Sequence, residues 1–538
     1  MDEYLKRREE FIQQDQSLRP DRAAAGVLSS DEHRADEILR SIRKTEARTI
    51  WGHELNVEHY HGSKQMFPGM EFLTARQTII TTKLFDILSK MPKGGLLHAH
   101  LDATVRPDVL LRLALSQPAV HIRAPGNLTL GNLKTVPPEF RALPQTEWTT
   151  SASVTEAGYV AGSWVPIHNA RSTFSEALGG PEGFDRWVTG ALTIDPSEAY
   201  GTHNTTDRIW DKFESIFGVS DGLFRYVPIF KEYIREFLLS SVDDGISYVE
   251  PRILFWYKYM VGEDGVENVP HRVWFQIYES ILADIKADLA AQGRADEFVG
   301  SKIIYSTMRE LTLDELEWYL EDCLALKQEF PHLVAGFDLV GHEDSLKPLI
   351  DYVEPFMRFK ARQQELGVEI PFIFHAGETL GDGTKADMNL YDAILLGTKR
   401  IGHGFSIFKH PEVMKVCRER NICLEMCPIS NEILRLTGSM PMHPLPSVLN
   451  HGVHVALCSD DPSAFGNMGL SFDYFQVFVA SEVNGLATLR QFVWDSITAS
   501  FYSCLGDQEK KRAFGILDRQ WAKFINDILD RDTTHRSA

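Results

Sequence analysis

Eight short apolar runs, spaced along the chain between longer helical patterns, constrain its fold more than any other feature. They are GGLLHAH ending at His100, ISYVEPRI near 250, SKIIYST near 304, LVAGFDLV ending at Val340, IPFIFHAGE around His375, KRIGHG ending at Gly404, NICLEMC ending at Cys427 and VHVALCSDD ending at Asp461. Each is continuous rather than alternating, the pattern of a strand covered on both faces, and such strands separated by helices belong to a parallel sheet. Eight of them predict a closed α/β barrel of the (β/α)8 type. A hydrophobic fraction of 43% supplies the core it needs.

Two segments depart from that pattern. Residues 1–90 read as a helical extension, with Ile38, Leu39 and Ile42 at helical spacing and Ser29 three before Glu32 as in a capping box. An apolar stripe ahead of a complete barrel predicts a partner for it, a second copy of the chain in a homodimer. The barrel occupies 91–538, interrupted at about 118–206, where Pro118, Pro125, Pro137, Pro138 and Pro144 break every long element and predict an irregular insertion.

Charge narrows the partners. A formal net charge of −20 without clustered Lys or Arg excludes a general nucleic-acid binder and disfavours anionic membrane surfaces. The first twenty residues, MDEYLKRREEFIQQDQSLRP, lack the apolar run of a secretory signal, and no later run is long enough to span a membrane. All six cysteines lie from Cys323 onward, several inside apolar stretches. Together these features predict a reduced, cytoplasmic protein.

In a barrel of this type the active site occupies the carboxyl ends of the strands, so polar residues there are candidates for chemistry. His98 and His100 flank one residue at the end of the first run, and the period of two points both imidazoles to one side. His375 ends the fifth run and Asp460 the eighth. Three histidines and a carboxylate at separate strand ends make a nitrogen–oxygen set suited to Zn with a position left for water. Glu378, three residues beyond His375, places a carboxyl beside that set; His403 ends the sixth run and Asp461 adds a second acid next to Asp460.

The ordered series HAHLD, GFDLVGHED, FHAGET, RIGHGFSIFKHP, CPISNEIL and CSDDPSAFG resembles the adenosine deaminase superfamily of metal-dependent hydrolases. MPKGGLLH and WDKFESIF narrow the likeness to its growth-factor-related branch. The resemblance implies a zinc enzyme that deaminates adenosine and 2′-deoxyadenosine, with His98, His100, His375 and Asp460 as ligands. It also implies Glu378 as the acid at the purine N1, His403 and Asp461 at the attacking water, Asp102 at the ribose 5′-hydroxyl, Gly341 beside the purine and Trp210 at the pocket. Members of that branch are typically secreted and carry cysteines in the insertion, whereas this chain has none before Cys323. Two alternatives stand beside this reading. One is a deaminase of AMP, ATP or another 6-substituted purine, for which Arg106 is the nearest phosphate-reading cation; the other is a growth-factor-like binding protein without turnover.

Overall fold

The computed structural model describes residues 1–56, 63–503 and 505–536. Each of the eight apolar runs becomes a strand. β1 is Gly94–Leu96, β2 is Ile246–Val249 continued by Arg252–Leu254, and β3 is Gly300–Ser301 continued by Ile303–Met308. β4 is Val334–Val340, β5 Ile373–Ala376, β6 Arg400–His403, β7 Cys423–Met426 and β8 Val455–Leu457. Successive strands pair in parallel from β1 to β4 and from β5 to β8. Parallel bridges Phe337↔Phe372 and Ala99↔Asp460 join β4 to β5 and β8 to β1, closing the barrel. The closing bridge sits at the candidate site itself, since His100 N donates to Asp460 O and Asp460 N to His98 O.

The barrel strands are buried along their length apart from an occasional end residue, which is why their sequences run apolar without alternation. β2 and β3 are each interrupted once. In β2 the break falls at Glu250-Pro251, where proline cannot donate to the ladder.

The extension is helical as the periodicity predicts, and the capping box forms. Ser29 Oγ accepts from Glu32 N, Ser29 N donates to Glu32 Oε2, and helix α1 (Ser30–Thr49) starts there. Its apolar stripe, however, turns inward. Leu39 is buried with no exposed surface, and α1 packs against the chain's own C-terminal helices Leu486–Ser503 and Asp507–Arg536. Trp521 Nε1 donates to Glu32, while Arg43 donates to the carbonyls of Phe478, Ser481 and Asn484. A stripe announces that something covers it, and here the cover is the same chain.

The segment expected to be irregular is folded. Val120–Arg123 pairs antiparallel with Glu139–Ala142 on one side and Val165–Pro166 on the other, and helices such as Gly180–Ala191 follow. Strands of two to four residues are too short for an alternating pattern to register, and Pro166 is tolerated because it lies on an edge strand. Beyond the insertion, helix α2 (Thr206–Phe224) turns back over the carboxyl ends of the strands.

Candidate active site

A cavity of about 490 Å³ opens at the carboxyl end of the barrel. Of the ten residues singled out from the sequence, eight line it: His100, Asp102, Trp210, Gly341, His375, Glu378, Asp460 and Asp461. His98 and His403 lie directly behind, both essentially without exposed surface. The four imidazole rings converge: His98 lies 4.5 Å from His375 and 4.7 Å from His403 between centroids, and His100 lies 5.3 Å from His375.

The donor atoms meet at Asp460. Its Oδ1 is 3.3 Å from His98 Nε2 and 3.4 Å from His100 Nε2, and its Oδ2 is 3.9 Å from His403 Nε2. One tight group of ligand atoms comprises His98, His375, His403 and Asp460, and a second comprises His100, Asp460 and Asp461. Thus His403, assigned from the resemblance to the water, stands as near the donor set as the residues assigned to the metal. His98 Nε2 and Asp460 Oδ1 are buried, adjacent and without a hydrogen-bond partner. Buried polar atoms are seldom left this way, and a divalent cation would satisfy both, so the donor set fits the expected ion. His403 and Asp460 both adopt positive φ, 58° and 61°, a conformation costly for residues other than glycine and found where a site dictates the backbone.

The ring nitrogens facing away from the cluster are fixed by carboxylates in the barrel core. Asp338 on β4 takes His375 Nδ1 at 2.6 Å and Glu425 on β7 takes His98 Nδ1 at 2.9 Å. Arg252 on β2 bridges the two carboxylates, donating from Nε to Asp338 and from Nη2 to Glu425, each at 2.7 Å. Arg400 adds a further bond to Glu425 and continues to Glu250. Burial opposes a charged Glu425, but the two guanidiniums hold it well below the usual carboxylate range. Gly402 on β6 belongs to the same construction, since a Cβ there would stand 2.9 Å from the His98 ring. Sequence reasoning missed Asp338, Glu425, Arg252 and Arg400. The available signal was a charged residue inside an apolar strand, as in GFDLV and CLEMC, which must find a partner in the barrel interior.

Glu378 is held by its backbone: its N–H and that of Gly377 donate to Glu343, which also receives Asn389. Its Oε1 is buried without a hydrogen bond, 3.5 Å from His403 Nδ1. Burial first, then the charges of Asp460 and Glu343, push its carboxyl well above the usual range. Burial and the neighbouring imidazoles and Arg252 drive His403 the other way, down to about 3, outweighing Asp460 and keeping the ring neutral. Asp461 is raised by burial and by Asp460 beside it. The pocket therefore pushes neighbouring groups apart, the Glu378 carboxyl upward and the His403 imidazole downward, the separation that proton transfer needs.

Trp210 forms one wall from α2, stacked on His342 with ring centroids 4.3 Å apart and planes within 7°. Gly341, at φ 109°, presents bare backbone to the cavity, where a Cβ would strike Leu346 at 2.6 Å. Arg106 is absent from the lining; it is exposed and binds Asp108 through Nε and Nη2.

Residues 195–518 match the family described as Adenosine deaminase. The chain is 31% identical to adenosine deaminase 2 of Sus scrofa over 506 residues, covering 93% of this chain and 90% of the relative. In fold it is similar to the N6-methyl-AMP deaminase of Arabidopsis thaliana, with a TM-score of 0.53, 16% identity and coverage of 81% of this chain and 98% of that one. It is likewise similar to an amidohydrolase of Burkholderia ambifaria solved with bound Zn, with a TM-score of 0.51, 16% identity and coverage of 86% and 98%. With the motifs in order, the barrel closed around them and the match extending over most of its length, the chain belongs to the adenosine deaminase family and is a hydrolytic deaminase.

Proposed function

We propose that this enzyme hydrolyses adenosine and 2′-deoxyadenosine to inosine or 2′-deoxyinosine and ammonia, with one Zn per chain. The observation that carries the reading is the meeting of orphaned donor atoms and the buried, unpartnered carboxyl of Glu378 in one cavity of nucleoside size. His98, His100, His375 and Asp460 would hold the ion, with His403 beside them. Zn supplies Lewis acidity, which makes water a nucleophile near neutral pH. Glu378 donates its proton to the purine N1, so the ring accepts the electron pair displaced when water oxygen bonds to C6. His403, whose Nδ1 accepts from Asn431 Nδ2, turns its Nε2–H toward the attacking water and orients it, while Asp461 alongside accepts the proton of that water, which leaves with the amine. Breaking the C6–N6 bond then releases ammonia, and the atoms balance: adenosine plus water gives inosine plus ammonia.

The lining favours a nucleoside over a nucleotide. Away from the donor cluster it carries Asp102, Glu214, Asp221 and Glu310 and, among the described residues, no Lys or Arg. A phosphate entering would meet repulsion without a countercharge. Loss of adenine absorbance with adenosine, 2′-deoxyadenosine, AMP, ATP and adenine tests this directly. Adenosine should exceed AMP by at least about tenfold to a hundredfold in kcat/KM, the scale of losing a hydrogen bond to a charged group. A preference for AMP or ATP would overturn the nucleoside assignment. A protein that only binds its ligand would have no use for Glu378.

The homodimer is also a proposal, now resting on a different surface. The helix Asp2–Asp15 has no buried residue and leaves Tyr4, Leu5 and Phe11 exposed. A cytoplasmic location is proposed on the strength of five cysteines, 323, 417, 423, 427 and 458, that are buried free thiols; the sixth, Cys504, lies outside the described residues. Among the described residues no helix is long and apolar enough to cross a membrane. Cell fractionation tests the location, and recovery of the protein only outside cells would contradict it.

A further inference from the structure

One face of α2 forms a wall of the cavity. Trp210, Phe213, Glu214, Phe217, Gly218 and Asp221 recur at helical spacing and all line it. The first part of that face is flat and aromatic, suited to a purine or the apolar side of a sugar. Gly218 has no neighbour within 4 Å of where a Cβ would stand, so the wall recedes there. Asp221 follows one turn later and ends the apolar stripe with a carboxylate.

Asp221 is not consumed by the fold. Arg225 stands 3.6 Å from its carboxylate, longer than a hydrogen bond, and that guanidinium is itself shared with Tyr259 O, Glu267 and the ring of Tyr257. Arg225 thus lends charge to the carboxylate without saturating it. Asp102, on the turn after β1, faces the same cavity, and the two acids lie close enough that the charge of Asp102 helps raise Asp221 to about 6, after burial as the main cause. Two carboxylate acceptors lining one cavity in which, among the described residues, no Lys or Arg joins them call for a ligand that brings two donors.

A nucleoside has such a pair. The 5′-hydroxyl, borne by C5′ on C4′, and the 3′-hydroxyl on C3′ branch from neighbouring ring carbons, while the 2′-hydroxyl lies farther along the ring. Resting on the reading of this cavity as an adenosine site with Asp102 at the 5′-hydroxyl, we propose that Asp221 is a specificity-determining residue that accepts a hydrogen bond from the ribose 3′-hydroxyl. The pair would then require both hydroxyls free, demanding an unmodified sugar edge while tolerating the 2′-deoxy sugar.

The test is kcat/KM for adenosine, 2′-deoxyadenosine and 3′-deoxyadenosine with Zn-loaded wild type, Asp221→Ala and Asp221→Asn. Wild type should favour adenosine over 3′-deoxyadenosine by about tenfold to a hundredfold. Asp221→Ala should lower adenosine and 2′-deoxyadenosine by that factor and move 3′-deoxyadenosine by less than about threefold. Asp221→Asn, nearly isosteric and still an acceptor, should fall between, and it carries the same comparison if the alanine variant does not fold. Equal losses on all three nucleosides, or a wild type indifferent to the 3′-hydroxyl, would overturn the assignment. Absence of adenosine turnover in wild type would bring down the reaction itself, which is a distinguishable result.

Discussion

Arg252 shows how a single buried residue can serve a site it does not reach. It lies fully buried on β2 and joins the two carboxylates that orient His98 and His375, so both rings depend on one guanidinium. Removing one partner of a buried charged network leaves the others uncompensated, at a cost of about 3–5 kcal/mol. Loss of partners that orient metal-binding histidines typically costs about tenfold to a hundredfold in metal affinity. Arg252→Gln is expected to show both effects, a lowered melting temperature and faster loss of Zn to a chelator. Arg252→Lys keeps the charge but not the two-pronged geometry, and should recover stability more than metal retention. Unchanged chelation kinetics in Arg252→Gln would show that the carboxylates hold the rings unaided.

Among the elements, the extension, the insertion and the barrel meet at Glu432. Its Oε2 accepts from Phe72 N at 3.0 Å and from Tyr200 OH at 3.1 Å. Burial, reinforced by Glu71, raises its carboxyl from 4.5 to about 8 against the pull of those hydrogen bonds. The folded chain therefore holds this proton more tightly than the unfolded chain. The contribution is complete below about pH 4.5 and is lost as pH rises through 8, at up to about 1.4 kcal/mol per pH unit for one group. Glu432→Gln should flatten the fall in stability between pH 6 and 8.5, read by urea unfolding. A slope equal to wild type would place the linkage elsewhere.

The same elements show what the sequence could reveal. The barrel was legible because each strand is buried on both faces and its apolar run needs no partner to be recognised. The donor set was legible because His98, His100, His375 and Asp460 sit at strand ends, where this architecture puts chemistry. The orienting layer was harder to see, since Asp338 and Glu425 acquire meaning only when β2, β4 and β7 bring Arg252 between them. The sheet of the insertion stayed hidden because strands such as Val165–Pro166 carry no period of their own. The stripe on α1 was visible, but whether the chain or a second copy covers it depends on where residues 486–536 return.

The N-terminal helices divide between a clasp on the chain's own barrel and a surface left exposed. With α1 packed on the C-terminal helices, Tyr4 and Phe11 of the first helix, two turns apart, remain exposed, and the proposed homodimer would use them. Deleting residues 1–15 should convert a dimer to a monomer in solution while leaving the thermal transition nearly intact. A dimer that survives the deletion, or full-length protein that is monomeric at micromolar concentration, would remove the first helix from any interface.

The donor set around Asp460 and the buried carboxyl of Glu378 are proposed to act as one hydrolytic site. Titrating Zn into metal-free protein while following adenosine loss tests it most directly. Activity should rise linearly and stop at one Zn per chain, and Glu378→Gln should take up the same single ion with turnover reduced at least about a hundredfold. Full activity before any Zn is added, or near-normal turnover in Glu378→Gln, would contradict the account.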